Sequence, residues 1–185
     1  MVEQLFFAHD DLPPELKCQI LSFLRVTWPE GFAGPNRLRD WISRPEFHPV
    51  HFMLVEAGVL IAHTEVLRKA LDHAGATFKA YGLSGVFTYP AFRGQGFGAQ
   101  VVRAGTGYID ASDADIGIFH CEPRLAPFYT RAGWTPMPGA TTLVGDPNAP
   151  EVSGELLMIR FLTPKGERER RAFASEPFYF GDVTW

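Results

Sequence analysis

The hydrophobic residues of the chain recur at two different spacings, which predict a mixture of strands and helices. Apolar residues at helical spacing follow Pro13-Pro14-Glu15, where proline favours a helix start. Runs of β-branched and aromatic residues predict strands, two of which form a hairpin that turns near Ala57-Gly58. The predicted strands are Leu5 to Ala8, His51 to Glu56, Val59 to Leu67, Phe78 to Thr88, Ile116 to His120 and Glu155 to Leu162. The predicted helices are Pro13 to Leu24, Asn36 to Ser43, Ala99 to Ala111, Ala126 to Ala132 and Lys165 to Phe173.

Composition indicates one globular domain with a substantial core. The chain has 185 residues, of which 46% are hydrophobic and 21% charged. No segment approaches the ~20 apolar residues that a membrane span requires, and the first ten residues lack the features of a secretory signal. Only Cys18 and Cys121 occur, far apart, which indicates neither a disulfide framework nor a metal cluster. We expect a single cytoplasmic domain, residues 1–185, with no metal and no membrane partner.

The net charge of the chain indicates which kinds of molecule it binds. The net charge is −4, and no basic stripe is present, so nothing indicates a nucleic-acid partner. Mild acidity suits a cationic small molecule as substrate. Sequence leaves open whether the chain is a monomer or a homodimer.

The most informative segment is a glycine-rich loop between a strand and a helix. The apolar run from Val86 to Tyr89 stops at Pro90, and Arg93-Gly94-Gln95-Gly96-Phe97-Gly98 follows before the next helical pattern. Such a loop aims several backbone N–H groups into one concavity at a helix N-terminus, where anions are favoured. Arg93 can add a charge-assisted contact to a phosphate oxygen. The loop therefore predicts a phosphate or pyrophosphate site.

The spacing of the glycines restricts the ligand. The dinucleotide fingerprint G-x-G-x-x-G is absent, and so is the Gly-Lys-Ser/Thr of a nucleoside triphosphate loop. The sequence R-G-x-G-x-G after an extended strand closely resembles the acetyl-CoA pyrophosphate loop of the Gcn5-related N-acetyltransferase (GNAT) superfamily. The alternative interpretation is an ordinary turn whose glycines only supply positive φ.

A second segment, Phe128-Tyr129-Thr130-Arg131-Ala132-Gly133-Trp134, is similar to the superfamily's helix end beneath the pantetheine arm. The resemblance implies a mixed α/β fold with a mostly antiparallel twisted sheet, flanked by helices and splayed around acetyl-CoA. It also implies that Tyr129 points its hydroxyl at the coenzyme sulfur, where a phenol of pKa about 10 is a plausible general acid. The residues implied to bind the coenzyme are Val86, Phe87, Thr88, Arg93, Gly94, Gln95, Gly96, Phe97 and Gly98.

A narrower resemblance points to the aminoglycoside 2′-N-acetyltransferases, which end in Gly-Asp-Val-Trp. It rests on the two segments above, on Phe32-Ala-Gly34 before Asp40-Trp41, on Ile61-Ala-His63 and on the ending Gly181-Asp-Val-Thr-Trp185. The resemblance implies that Asp40, Asp182 and Trp185 bind the amino sugar. This chain departs from that family in three places: Ser84 replaces a glutamate that acts as base through water, Pro35 replaces an acidic residue, and Thr184 is inserted. The resemblance still places Ser84, with Tyr129, at the catalytic positions.

With Ser84 in the place of the glutamate, the general base stays open. The candidates are Glu65, His63, His120, Glu122, Asp182 and the carboxylate of Trp185. For the two strand histidines a structural role is the commoner outcome, and for Asp40 and Asp182 a helix or turn cap is the alternative. We interpret the chain as an acetyl-CoA-dependent N-acetyltransferase acting on a small polyamino substrate of aminoglycoside type. The alternatives are acylation of another small amine or peptide amine, and a non-catalytic acyl-CoA-binding module.

Overall fold

The computed structural model describes all residues from Met1 to Trp185 and contains ten strands and five α-helices. The strands are β1 (Glu3–Ala8), β2 (Val50–Glu56), β3 (Val59–His73), β4 (Ala76–Thr88), β5 (Ile116–Cys121), β6 (Thr135–Pro136), β7 (Thr142–Val144), β8 (Glu151–Val152), β9 (Leu156–Phe161) and β10 (Phe178–Gly181). The helices are α1 (Pro14–Thr27), α2 (Phe97–Asp110), α3 (Ala126–Thr130), α4 (Pro164–Arg168) and α5 (Arg170–Ser175). Short 3-10 turns connect several of them.

Seven strands form one sheet in the order β1-β2-β3-β4-β5-β9-β6, and β10-β7-β8 form a second, smaller sheet. The pairs β1–β2, β2–β3, β5–β9 and β6–β9 are antiparallel, whereas β4 and β5 are parallel. The β4–β5 pairing comprises only Ala80 opposite Ile116 and Tyr81 opposite Gly117. The predicted mixed α/β class with a mostly antiparallel sheet and flanking helices is confirmed.

The chain divides into two compact units. The first comprises residues 1–66 and 85–105, and the second comprises residues 67–84 and 106–185. In the first unit, α1 buries Leu16, Ile20 and Leu24 on one face, as its helical spacing predicts. They belong to a cluster that also includes Met53 and Phe87. This cluster fixes β4 where it leads into the glycine-rich loop.

In the second unit, β5 is buried along its whole length and carries the core. Phe119 packs edge-on against both Tyr129 and Trp134, with ring centroids 4.7 and 4.5 Å away. The Trp134 indole is 1% exposed, and its Nε1 donates to Thr106 Oγ1 at 2.9 Å. An apolar ring with one satisfied polar atom is a stable buried arrangement, and it ties α2 to the turn after α3.

The predicted helix from Asn36 to Ser43 is wrong. A 3-10 turn covers Gly34–Asn36, and the chain then continues without a helix. The Arg39 guanidinium lies 4.0 Å from the centroid of Phe32 and 4.4 Å from that of Trp41. Residues two apart do not face each other on a helix, so the stacking of Arg39 on Trp41 requires a non-helical backbone.

The predicted helix from Lys165 to Phe173 is interrupted. It forms the two helices α4 and α5, separated at Glu169, whose ψ is 7°. The Glu169 N–H donates to Gly166 at the tighter three-residue spacing, which ends the first helix. The strand β10 was not predicted at all, because its pairing with β7 joins residues far apart in sequence.

The two cysteines are both free thiols, Cys18 exposed and Cys121 buried. None of the helices has the length and apolar character needed to cross a membrane.

The close approach of β5 to Gly82 generates a stability prediction. A Cβ at Gly82 would lie 1.9 Å from the carbonyl oxygen of Ile118, which is a backbone atom and cannot rotate away. We expect Gly82→Ala to lower the free energy of unfolding by about 3 kcal/mol or more, measured by urea denaturation.

The matched control is Gly107→Ala in α2, where a Cβ meets nothing within 4 Å. This change should instead stabilise the protein by about 0.5–1 kcal/mol, since alanine is the better helix former. Equal denaturation midpoints for the two variants would contradict the close approach at Gly82.

Candidate functional site

The glycine-rich loop of the first unit has the backbone geometry of an anion site. Gly94 and Gly96 have φ values of +77° and +83°, a region that glycine tolerates best. A Cβ at either position meets nothing within 4 Å, so the concave side of the loop is open. Helix α2 begins at Phe97, and its first N–H groups have no acceptor inside the helix. These groups fit a pyrophosphate.

Side chains of the loop hold it in place without closing it. Arg93 is exposed, and its Nε donates to the carbonyl of Thr88 at 3.0 Å, which leaves the Nη amino groups for another acceptor. Gln95 is exposed, whereas Phe97 packs against the core cluster of Ile61 and Val101. The side chain of Phe97 therefore anchors the start of α2, and its backbone remains available to a ligand.

The strand segment before the loop combines a buried ring with half-buried neighbours. Phe87 stacks on Phe23 with ring centroids 4.0 Å apart, while Val86 and Thr88 are half-buried. The side chain of Phe87 belongs to the core, so any contact of this residue with a ligand uses its backbone. Gly85, directly before the segment, has a φ of +55°, which interrupts the extended backbone of β4.

A buried polar cluster lies beside Gly85 in the first unit, and sequence reasoning found only part of it. His63 Nδ1 lies 2.8 Å from the Gly85 carbonyl, and His63 Nε2 lies 3.1 Å from His51 Nδ1. Glu65 is 1% exposed and accepts a hydrogen bond of 2.5 Å from Ser43 Oγ. The alternation of β2 and β3 could have indicated His51, because it lies opposite Glu65 in the predicted hairpin. Ser43 left no sequence signal.

Because a carbonyl only accepts, His63 carries its proton on Nδ1, and its Nε2 accepts from His51 Nδ1–H. Burial lowers the pKa of His63 to about 4. Burial, together with the neighbouring His63 and His9, lowers the pKa of His51 to about 2. Both rings are therefore neutral at physiological pH and are weak proton acceptors for an amine.

Tyr129 lies on α3 of the second unit and is 6% exposed. Its backbone carbonyl accepts from Ala132 and Trp134, which closes the turn at Gly133 with a φ of +86°. Burial, and secondarily Cys121, raises the pKa of Tyr129 well above its usual value. The phenol therefore stays protonated, as a proton donor must.

The tail of the second unit folds back onto β5. The backbone oxygen of Trp185 accepts from the His120 N–H at 2.7 Å, on the edge that does not pair with β9. Trp185 is buried and packs on Phe180, and the Lys69 ammonium lies 3.3 Å from the Phe180 ring centroid. Thr184, the inserted residue, donates to Glu155 at 2.6 Å.

The remaining candidates fall into different environments. Asp40 and Asp182 are exposed, and Ser84 is half-buried. His120 Nε2 lies 3.0 Å from Thr142 Oγ1, and burial together with Lys69 lowers the pKa of His120 to about 4. Glu122 is exposed, and its hydrogen bond with Arg124 lowers the pKa of the carboxyl. Neither His120 nor Glu122 has the basicity expected of a general base.

The comparisons with known proteins decide the family. Residues 12–137 match the acetyltransferase (GNAT) domain family. The chain belongs to this family. It is an N-acetyltransferase that uses acetyl-CoA, as the motifs around Arg93 and Tyr129 predict. No curated protein sequence matches the chain.

Solved structures of the GNAT acetyltransferase fold resemble the chain along most of its length. An acyl-CoA N-acyltransferase from Pseudomonas aeruginosa has a TM-score of 0.57 at 21% identity, covering 86% of this chain and 99% of its own. ElaA of Escherichia coli has a TM-score of 0.58 at 18% identity, with coverages of 86% and 99%. An aminoglycoside 6′-N-acetyltransferase complexed with coenzyme A has a TM-score of 0.58 at 12% identity, with coverages of 86% and 98%. At identities this low, the structural likeness shows a shared fold.

The loop geometry of this acetyltransferase predicts how it holds its coenzyme. A saturating concentration of coenzyme A should raise the melting temperature by about 5–10 °C, since a ligand at 100 times its Kd stabilises the folded state by ~2.7 kcal/mol. Gly96→Asp should abolish the shift, because it places a carboxylate where the pyrophosphate would lie. Thermal melts with and without coenzyme A measure both effects.

Gly145→Asp is the matched control, since Gly145 also has a positive φ of +93° and open space around its Cβ position. This variant should keep the full coenzyme-induced shift. An undiminished shift in Gly96→Asp would remove the loop from the coenzyme site.

Tyr129→Phe tests the proton donor while it keeps the buried ring. Turnover should fall ~10²-fold or more with the affinity for acetyl-CoA unchanged, because the departing thiolate loses its acid. Because the pKa of Tyr129 is raised, wild-type kcat should not decline from phenol ionisation below about pH 10. Steady-state thiol-release kinetics across pH measure both. Tyr108→Phe, which removes an exposed hydroxyl, should behave as wild type; unaltered turnover in Tyr129→Phe would assign Tyr129 to packing.

Proposed function

We propose that this acetyltransferase modifies an amine of a small polyamino substrate of aminoglycoside type. The observation that carries the proposal is the tail, because the backbone oxygen of Trp185 binds the N–H of His120 at 2.7 Å. The tail thus ends beside His120, whose neighbour Phe119 packs on Tyr129, and Asp182 lies three residues before that end. A carboxylate in this segment suits an ammonium group of the acceptor.

We assign the steps of acetyl transfer to a few groups of the chain. Acetyl-CoA, when bound, supplies the acetyl group as a reactive thioester. Backbone N–H groups at Gly96 and Phe97, with Arg93, would hold its pyrophosphate. A backbone N–H of the segment from Val86 to Thr88 would polarise the carbonyl oxygen, as in an oxyanion hole. Tyr129 Oη would donate its proton to the departing sulfur.

Contacts with Lys69 fix the position of the tail. Lys69 lies against the rings of Phe180 and Trp185 and donates to the Phe180 carbonyl. This cation–π contact uses the inner side of the tail, so these rings serve to fix the segment. Asp182 is exposed and is the acidic side chain of the tail, which we propose binds an ammonium group of the acceptor.

One structural relative is itself an aminoglycoside 6′-N-acetyltransferase, but at 12% identity its likeness carries the fold alone. The acceptor proposal therefore rests on the tail of this chain. The direct test is release of the coenzyme thiol from acetyl-CoA with a panel of aminoglycosides, linear polyamines and peptide amines. We expect the aminoglycosides to have the highest kcat/KM, and preference for a linear polyamine or a peptide amine would overturn the proposal.

Asp182→Asn tests the tail with one charge removed. The KM for the aminoglycoside should rise about 10-fold, because a hydrogen bond to a charged group contributes ~1.5 kcal/mol or more. The salt dependence of this KM should weaken, and the KM for acetyl-CoA should not change. Asp10→Asn removes one exposed carboxylate of the first unit and is the matched control. An acceptor KM that is the same in both variants would exclude Asp182 from the acceptor site.

A further inference from the structure

Glu65 is the one carboxylate among the 185 residues that is fully buried, with 1% of its surface exposed. Burying a carboxylate is costly unless several groups satisfy it, so a buried acid next to a functional segment indicates a functional role. Its Oε1 lies 3.5 Å from the position that a Cβ would take at Gly85, the residue directly before Val86. Glu65 therefore reaches the segment of β4 to which the coenzyme-binding role is assigned.

The groups around Glu65 come from three elements. Ser43, in the loop before β2, donates to Oε1 at 2.5 Å, a length typical of a hydroxyl bound to an ionised carboxylate. His51 Nδ1 on β2 lies 3.6 Å from Oε2, and His63 shares β3 with Glu65. The Arg39 guanidinium interacts electrostatically with Glu65.

The histidines of this cluster do not compete for the role of base. Burial lowers the pKa of both rings, which are therefore neutral at physiological pH. His51 Nδ1, which donates to His63 Nε2, lies 3.6 Å from Glu65 Oε2. No three histidine and carboxylate groups in the structure are placed to share a metal ion. Glu65 is the carboxylate of the cluster, and Ser43 connects it to the outside, because Ser43 is half-buried whereas Glu65 is buried.

We propose that Ser43 and Glu65 form the proton relay that deprotonates the acceptor amine. The ammonium group donates to Ser43 Oγ, and as its N–H bond breaks, the Ser43 hydroxyl proton passes to Glu65 Oε1. The products of the step are a neutral amine with its lone pair free, an intact serine hydroxyl and a neutral carboxyl. Ser43 is the catalytic residue that touches the substrate, and Glu65 acts through it. The inference rests on acetyl transfer to an amine and not on which amine is the acceptor.

The decisive measurement is kcat/KM against pH for Glu65→Gln, with the aminoglycoside kanamycin as acceptor. Glutamine keeps the shape and a hydrogen bond to Ser43 but accepts no proton. We expect kcat/KM to fall about 10²–10³-fold at neutral pH, which is the usual contribution of a general base. The loss should shrink at least tenfold toward about pH 10, where the free amine needs no base. A merely structural role would lower the rate by the same factor at every pH.

Substitutions of Ser43 test the relay independently of Glu65→Gln, and they decide it even if the Glu65→Gln protein does not fold. Ser43→Ala should show the same pH-dependent loss, and Ser43→Thr should restore most of the rate because it returns the hydroxyl. Glu46→Gln removes an exposed carboxylate of the same loop and is the control that should follow the wild-type profile. Coenzyme A should raise the melting temperature equally in all these variants.

Two results would overturn the relay: a wild-type pH profile in Glu65→Gln, or full activity in Ser43→Ala. The outcome for the relay stays separate from the outcome for the proposed acceptor. If the wild-type enzyme acetylates another amine of the panel instead of kanamycin, the aminoglycoside proposal fails. The same variants and pH series with that amine then still decide whether Ser43 and Glu65 relay the proton.

Discussion

A single hydrogen bond, between His63 Nδ1 and the carbonyl of Gly85, fixes the polar interior of the first unit. It determines the tautomer of His63, which in turn places the His51 proton on Nδ1, the nitrogen that lies 3.6 Å from Glu65 Oε2. The bond exists because Gly85 turns its carbonyl out of the regular strand pattern at a φ of +55°. A residue with a side chain would be strained there, and its Cβ would lie 3.3 Å from the His63 ring. Backbone conformation and proton positions are thus set together.

In the second unit, the end of β5 has a comparable organising role. After Gly117 the strand no longer pairs with β4, yet the His120 N–H is satisfied by the backbone oxygen of Trp185. The tail therefore replaces a missing strand at this point, and its rings Phe180 and Trp185 pack against each other. Lys69 strengthens the arrangement from the side of β3 through its contact with Phe180. The exposed Asp182 is held between two fixed points of the tail, Gly181 in β10 and the buried Trp185.

Local signals in the sequence predicted the features that depend on local physics. The hairpin turn at Ala57-Gly58, the start of α1 after Pro13 and the loop from Gly94 to Gly98 all follow from φ preferences and spacing. The false helix after Asn36 and the missed strand β10 depend on distant contacts, namely the stacking of Arg39 between rings and the pairing with β7. The sequence did not indicate a role for Ser43 or Lys69 for the same reason, because their hydrogen-bond partners are 22 and 111 residues away.

The proposed relay would take its base from β3, the strand next to Ser84. Side chains on adjacent strands approach within about 5 Å, so a carboxylate on β3 can serve a position beside β4 without a change in the fold. The requirement is empty space on β4, and Gly85 provides it, because any Cβ there would lie against Glu65 Oε1 and the His63 ring. The same glycine therefore supplies the left-handed turn, the acceptor for His63 and the space that Glu65 fills. The sequence offers Glu65 only as one of six candidate bases, and the structure adds that its carboxylate lies beside Gly85, on the strand next to Ser84.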